Sequence, residues 1–169
     1  MAAPNPFSSP KFAAPTPLAI AVSAEDPAGA QALALVAELT ATLTAITGDG
    51  GQASFDPADA RGPRACFALA RDEHGRALGC GALRPLDADV GELKRMFARP
   101  GTRGVGSAVL QFLEREAARH GYAALRLSTR RVNRRAVAFY ERHGYRRIAG
   151  YGRYVGSEVS VCFEKVLAR

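Results

Sequence analysis

The stretch Arg99–Gly121, RPGTRGVGSAVLQFLEREAARHG, holds the decision about the fold. Its second half reads as an amphipathic helix. Val109, Leu110, Phe112, Leu113 and Ala117 form an apolar stripe near helical spacing, Gln111, Glu114, Arg115 and Arg119 fall off it, and Gly121 is the stop. Its first half is a glycine-rich loop, Gly101-Thr102-Arg103-Gly104-Val105-Gly106-Ser107. Glycines let the backbone turn tightly and approach a ligand closely. Amides entering a helix, at the positive end of its dipole, favour an anion, and the forked Arg103 guanidinium suits phosphate. Taken alone, the loop is also compatible with an ordinary turn capping a helix.

What the loop lacks narrows the ligand. It has no Lys-Ser/Thr ending, so it is not an ATP-binding P-loop. No acidic residue follows about 20 positions on, where a dinucleotide site presents one to a ribose; the sequence there is LRLSTRRVNRR. An anion other than ATP or NAD is expected.

The rest of the chain fits a globular enzyme-sized unit. Its 169 residues are 47% hydrophobic and 23% charged, enough for a real core. No apolar run is expected to approach the ~20 residues of a membrane span. The opening MAAPNPFSSPKFAAPTP lacks a charged head followed by an apolar core, so residues 1–16 are expected to form a disordered tail rather than a secretory signal. Residues 17–169 are expected to form one domain. Cys66, Cys80 and Cys162 are odd in number and lack CxxC spacing, and His74, His120 and His143 are scattered. Neither a disulfide frame nor a metal site is expected, and a reducing cytoplasm fits best. The net charge of +7 is uneven: nine arginines and one acid, Glu141, lie between Arg119 and Arg147. A solvated arginine face, a phosphorylated cofactor and nucleic acid all fit that run.

In chain order, PLAIAVSAED reads as a strand and AGAQALALVAELTATLTAI as a helix ended by TGDGG. QASFDPADARGPR reads as irregular. ACFALARDEHGRALGCGALRPL reads as a hairpin turning at Glu73-His74-Gly75, and VGELKRMFARP as a strand stopped by Pro100. After the loop and helix come a short strand, AALRLST, and a second amphipathic helix, NRRAVAFYERHGY, with Ala136, Phe139 and Tyr140 on one side. RRIAGYG and EVSVCFEKVL close the chain as paired strands. The alternation predicts an α/β fold: a mixed, mostly antiparallel twisted sheet flanked by helices.

So ordered, the chain from about Leu78 onward resembles the GCN5-related N-acetyltransferase (GNAT) family, which has the acyl-CoA N-acyltransferase fold. Three pieces carry the resemblance: the strand ELKRMFARP with its loop and helix RGVGSAVLQFLEREA, the strand and helix LRLSTRRVNRRAVAFYERHGY, and the tail YGRYVGSEVSVCFEK. The family's loop pattern is Gln/Arg-x-x-Gly-x-Gly/Ala. Aligning the helix puts Gly101 at the Gln/Arg position and leaves the loop about two residues short. Aligning Arg103 instead fits Gly106 and Ala108 but slips the helix out of its apolar register. Burial fixes register, so the helix alignment is preferred.

The resemblance implies that the amides of residues 101–107 hold the pyrophosphate of acetyl-CoA, that the pantetheine arm lies along Met96, Phe97 and Ala98 as an added strand, and that the arginine run assists the adenosine phosphates. Asn133 would cap its helix or bond to pantetheine. Amine acetylation requires a neutral amine facing the thioester and a proton for the departing thiolate. By resemblance, Glu92 is the general base and Tyr140 the acid; a water chain in place of Glu92, a solvent-facing Glu92 and a core-aromatic Tyr140 are the alternatives. Tyr151 and Tyr154 line the acceptor pocket or merely pack a hairpin. Cys80 and Cys162 fit strand cores better than nucleophiles. The implied activity is acetyl transfer from acetyl-CoA to a primary amine, on a small molecule or a peptide, directly within a ternary complex. An acyl-CoA sensor of the same fold and, behind it, an arginine-rich nucleic-acid binder are the alternatives. Neither a nucleic-acid nor a membrane partner is expected, and monomer and homodimer both stay open.

Overall fold

The computed structural model describes residues 19–168. The expected tail at residues 1–16 lies outside them, as do Pro17 and Leu18 of the first expected strand. Within them the elements are β1 (Ala21–Ala24), α1 (Ala30–Thr47), β2 (Cys66–Arg71), β3 (Ala77–Pro85), β4 (Val90–Ala98), α2 (Val105–Arg119), β5 (Ala124–Arg130), α3 (Arg134–Arg142), β6 (Arg146–Ile148) and β7 (Ser160–Val166). The seven strands form one sheet in the order β1-β2-β3-β4-β5-β7-β6. Every neighbouring pair is antiparallel except β4 and β5. The mixed, mostly antiparallel sheet expected from the sequence is therefore the sheet observed.

Both faces are covered, which explains why β2 and β3 read as continuous apolar runs rather than alternating ones. On one face α1 sets Ala32 and Leu35 against Phe67, Leu69, Cys80 and Ala82. On the other, α2 sets Val109, Leu110 and Leu113 against Leu83, Leu93 and Leu125. All three α2 side chains are fully buried, each contributing about 1.5–3 kcal/mol. The expected register of α2 is thus the observed one, and it extends back to a buried Val105. The β2–β3 turn is held by the Asp72 carboxylate, which accepts from the amides of His74 and Arg76 at 3.0 and 2.9 Å.

Some expectations need correction. α1 is 18 residues long and, by length and composition, apolar enough to cross a bilayer, so the expectation that no run approaches that length fails. In the fold, Ala32, Leu35 and Leu39 of this helix are buried. The segment expected to be irregular contains two 3-10 turns, Gln52–Ser54 and Pro57–Ala60. In the second, Asp56 and Asp59 form a capping box behind Pro57. The strand expected over 146–152 stops at Ile148, and Gly152–Tyr154 is a 3-10 turn in the long β6–β7 connection.

The feature that positions a site is where β4 and β5 part. Their ladder has only three rungs: Val90 to Ala124, Gly91 to Leu125 and Glu92 to Arg126. Beyond Glu92, β4 carries a bulge at Arg95, whose backbone adopts φ of 53° while the β3 register shifts between Cys80 and Ala82. The extra residue bends β4, while β5 stays paired with β7 from Ala124 to Arg130. The β5-facing edge of β4 from Leu93 to Ala98 therefore has no strand partner among the described residues.

Candidate active site

Two groups of side chains meet at this gap, one on each face of the sheet. The first is built around the start of α2. Gly104 occupies the N-cap with φ of 74°, a left-handed conformation that suits glycine, and no side chain caps the helix. The first helical bond runs from the Ala108 amide to the Gly104 carbonyl at 2.9 Å. The amides of Val105, Gly106 and Ser107 accordingly find no backbone acceptor among the described residues. Gly106 allows α3 to approach: a Cβ there would meet the Phe139 ring at 3.3 Å. Ser107 Oγ lies 2.9 Å from His143 Nε2, and His143 Nδ1 lies 2.7 Å from the Phe139 carbonyl. That carbonyl can only accept, so Nδ1 carries a proton, and a neutral His143 receives the Ser107 hydroxyl at Nε2.

The other expected residues of this group lie close by. Gly101 and Thr102 form the turn after β4, with the Thr102 hydroxyl donating to the Arg99 carbonyl at 2.6 Å, and Arg103 is exposed. Met96, Phe97 and Ala98 form the end of β4, on its unpartnered edge. Asn133 caps α3, its Oδ1 accepting from the Ala136 amide at 3.2 Å. Tyr140 is the buried residue of α3 and packs edge-on to Phe139 and Tyr145. Burial pushes its phenol well above the ordinary value, so it stays protonated at any working pH. Its hydroxyl makes no hydrogen bond among the described residues.

The second group lies on the α1 face. Glu92 is the last rung of the β4–β5 ladder, and its side chain is only 3% exposed. It is not the solvent-facing residue that the sequence allowed. Oε2 accepts from Arg84 Nε at 2.9 Å and lies 2.8 Å from Arg84 Nη2. Oε1 accepts from the Tyr151 hydroxyl at 2.9 Å and lies 3.6 Å from Lys94 Nζ. Lys94, 7% exposed, donates to the Tyr154 hydroxyl at 2.7 Å. Arg84 also bonds Asp59. Burial, then the Glu92 charge, pushes the Tyr151 phenol far above its ordinary value. Burial pulls the Arg84 guanidinium down, but its bonds to Glu92 and Asp59 outweigh that, and the net shift is upward. Tyr151 and Tyr154 thus hydrogen-bond to Glu92 and Lys94.

Beside this network lies a cavity of about 490 Å³, lined by the Gln52–Pro57 segment, Asp59, Arg84 and Arg153. It is the size of a small-molecule site. Arg84, Lys94, Asp59 and Arg153 were not singled out from the sequence. Lys94 had a signal, since it lies two positions from Glu92 on the same strand face. The others depend on β3–β4 register and on loops.

Four of the nine arginines of the run have carboxylate partners among the described residues. Arg119 pairs with Glu116, Arg126 with Glu164, Arg130 with Asp49 and Arg147 with Glu141. Arg130 reaches the α1 face, away from the α2 loop. The cysteines are free and buried. Burial pushes the thiols of Cys66 and Cys80 up to about 11 and about 12, which suits core residues.

This arrangement can hold an anion at the α2 amides and an extended arm along β4, and can handle protons on both sides of the gap. The chain is also similar to known proteins. The profile of the acetyltransferase (GNAT) family matches residues 33–145. An IAA acetyltransferase of Azospirillum brasilense is 35% identical over 60% of this chain and 67% of its own length. A crystal structure from Klebsiella pneumoniae, assigned to the acyl-CoA N-acyltransferases, superposes with a TM-score of 0.75 at 27% identity, covering 88% of this chain and 98% of that one. A GNAT-family acetyltransferase of Staphylococcus aureus shares the fold, with a TM-score of 0.72 at 19% identity over 89% and 100% of the two chains.

Proposed function

The chain belongs to the acetyltransferase (GNAT) family, and from that premise we propose that it moves an acetyl group from acetyl-CoA directly to a primary amine within a ternary complex. We take residues 17–169 to be one catalytic domain, acting in the cytoplasm, where three free cysteines stay reduced. The observation that carries the reading is the gap beyond Glu92, with unpaired amides and Tyr140 toward one face and the Glu92 network toward the other.

In this reading acetyl-CoA supplies the activated acyl group. The amides of residues 101–107, above all those of Val105, Gly106 and Ser107, bind its pyrophosphate. The edge of Met96, Phe97 and Ala98 pairs with the pantetheine amides, and Asn133 fixes the start of α3 beside it. Tyr140 gives its proton to the departing sulfur. Glu92 takes the proton of the amine. Because both its oxygens are already engaged, that proton passes through the Tyr151 hydroxyl, which accepts from the amine while donating to Oε1, or through a water. Tyr151 and Tyr154 wall the acceptor side.

The test is a screen of small and peptide amines for thiol release from acetyl-CoA, run beside calorimetry of acetyl-CoA binding. Binding with turnover of at least one amine is expected. Absence of binding at millimolar acetyl-CoA removes the reading at its root, and binding without turnover of any amine leaves an acyl-CoA sensor.

A further inference from the structure

Three arginines from three different elements converge on the short segment after α1. Arg95, on the β4 bulge, donates from Nη1 to the Gly50 carbonyl at 2.8 Å. Arg130, on β5, reaches Asp49 with Nη2 at 2.8 Å. Arg153, in the 3-10 turn before β7, donates from Nη1 to the Ala53 carbonyl at 2.8 Å. Of the three, only Arg130 has a carboxylate partner among the described residues. The other acids of this corner are committed: Asp59 and Glu92 to Arg84, and Asp56 to the Ala58 amide in its cap.

Arg95 and Arg153 are thus cations making hydrogen bonds to neutral carbonyls. Such bonds leave charge unmatched, and a forked guanidinium exchanges them readily for a carboxylate. Arg95 adds a second observation. Its Nε is the buried side-chain nitrogen or oxygen without a hydrogen-bond partner among the described residues, and the residue is held at φ of 53°. Arg153 lines the cavity of about 490 Å³ together with Arg84, which bonds Glu92.

We propose that the acceptor is a primary amine bearing a carboxylate, which Arg153 binds at the mouth of this cavity, while Arg95, behind the lining, holds the Gly50 end of the segment that forms it. The proposal rests on the acetyltransferase reading and specifies its acceptor. The same geometry disfavours a polycationic amine. Arg84 and Lys94 offset Asp59 and Glu92, and Asp56, the other carboxylate of the lining, is outnumbered by Arg95 and Arg153.

The test compares amino acids with their own carboxamides, which differ in charge but hardly in shape. It measures thiol release from acetyl-CoA with the full chain. A carboxylate held by a charge-assisted bond should be favoured in kcat/KM over its amide by about tenfold to a hundredfold. Arg153→Gln, an exposed position, should bring that ratio towards one through KM for the acceptor, with KM for acetyl-CoA unmoved. Arg95→Gln, which releases Gly50, should act in the same direction. Amides or polyamines used as well as or better than amino acids by the unaltered protein would overturn the proposal while leaving the acetyltransferase reading intact. So would a ratio that Arg153→Gln does not change. Failure of every amine of both kinds, with acetyl-CoA bound, would remove both.

Discussion

Replacing Glu92 by glutamine tests the centre of the acceptor-side network. Four donors point at its two oxygens: two nitrogens of Arg84 at Oε2, the Tyr151 hydroxyl at Oε1, and the Lys94 ammonium 3.6 Å from Oε1. Glutamine keeps the shape but has one acceptor oxygen, so its NH2 must face either Arg84 or Lys94. Arg84 retains Asp59. Lys94, 7% exposed, loses its nearest anion and keeps only the Tyr154 hydroxyl. Removing one partner of a buried pair costs about 3–5 kcal/mol, and because Arg84 stays paired we expect ~2–3 kcal/mol here. For a chain of this size each kcal/mol lowers Tm by about 2–4 °C, so the fall should be about 4–12 °C.

Thermal unfolding followed by circular dichroism reads that loss. The double variant Glu92→Gln/Lys94→Met, which removes the stranded ammonium, should regain part of it. With an established acceptor, kcat/KM at neutral pH should drop about 10²–10⁴-fold if Glu92 collects the proton. It should recover partly towards pH 10, where an amine of pKa about 10 is already neutral. A Tm within about 1 °C of the parent would refute the network energetics. An unchanged pH profile would make Glu92 a structural anchor for Arg84 and Lys94 and pass deprotonation to another group.

Tyr140→Phe should leave acetyl-CoA affinity nearly unchanged while kcat falls about 10²–10⁴-fold, because the hydroxyl acts as the sulfur departs; full turnover would return Tyr140 to a purely packing role beside Phe139. Gly106→Asp should abolish acetyl-CoA binding in calorimetry, since its Cβ meets the Phe139 ring at 3.3 Å and its carboxylate adds negative charge beside the unpaired amides; retained affinity would mean the pyrophosphate lies elsewhere. The Asp72 carboxyl is held below its ordinary value of 3.8, first by the Arg76 amide and then, against the cost of burial, by the Arg76 guanidinium and the His74 amide. Its folded-state pKa is depressed, so its contribution is complete above pH 3.8 and is lost as pH falls through the lower folded value. Urea midpoints should therefore decline below about pH 4, and Asp72→Asn should flatten that decline.

The readings that survived are those that rest on periodicity. The stripe from Val109 to Ala117 fixed α2 because burial tolerates no other register, and the Asn133 cap followed from its place before an amphipathic run. The α2 loop was legible for the same reason: glycine where the backbone turns left-handed at Gly104, and glycine where Phe139 comes within a methyl's reach of Gly106. The acceptor side was not legible beyond Glu92, Tyr151 and Tyr154. Arg84 reaches Glu92 only because β3 and β4 pair in one register, and Asp59 and Arg153 come from 3-10 turns. Period-2 reasoning could have found Lys94. The apolarity of α1 went unweighed in the sequence, and composition does not say whether such a helix covers a sheet or spans a bilayer; here Ala32 and Leu35 pack on β2 and β3.

The geometry at the end of the β4–β5 ladder also bears on whether the acyl group is handed over directly. Strand alternation puts Glu92, Arg84 and Lys94 on the α1 face, while Tyr140 and the α2 amides serve the opposite face. Between them the β4–β5 ladder ends at Glu92, and β4 takes one residue more than β3 at Arg95. A relay through the protein would need a nucleophile at that gap. Cys80 is fully buried in the α1 core with its thiol pushed up to about 12, and Cys66 is buried in β2 with its thiol near 11. Cys162 lies buried in β7, opposite Ser128. Thiols raised as those of Cys66 and Cys80 are do not act as thiolates at neutral pH. Direct attack by the amine, drawn in from the arginine-lined cavity, is the route these residues support.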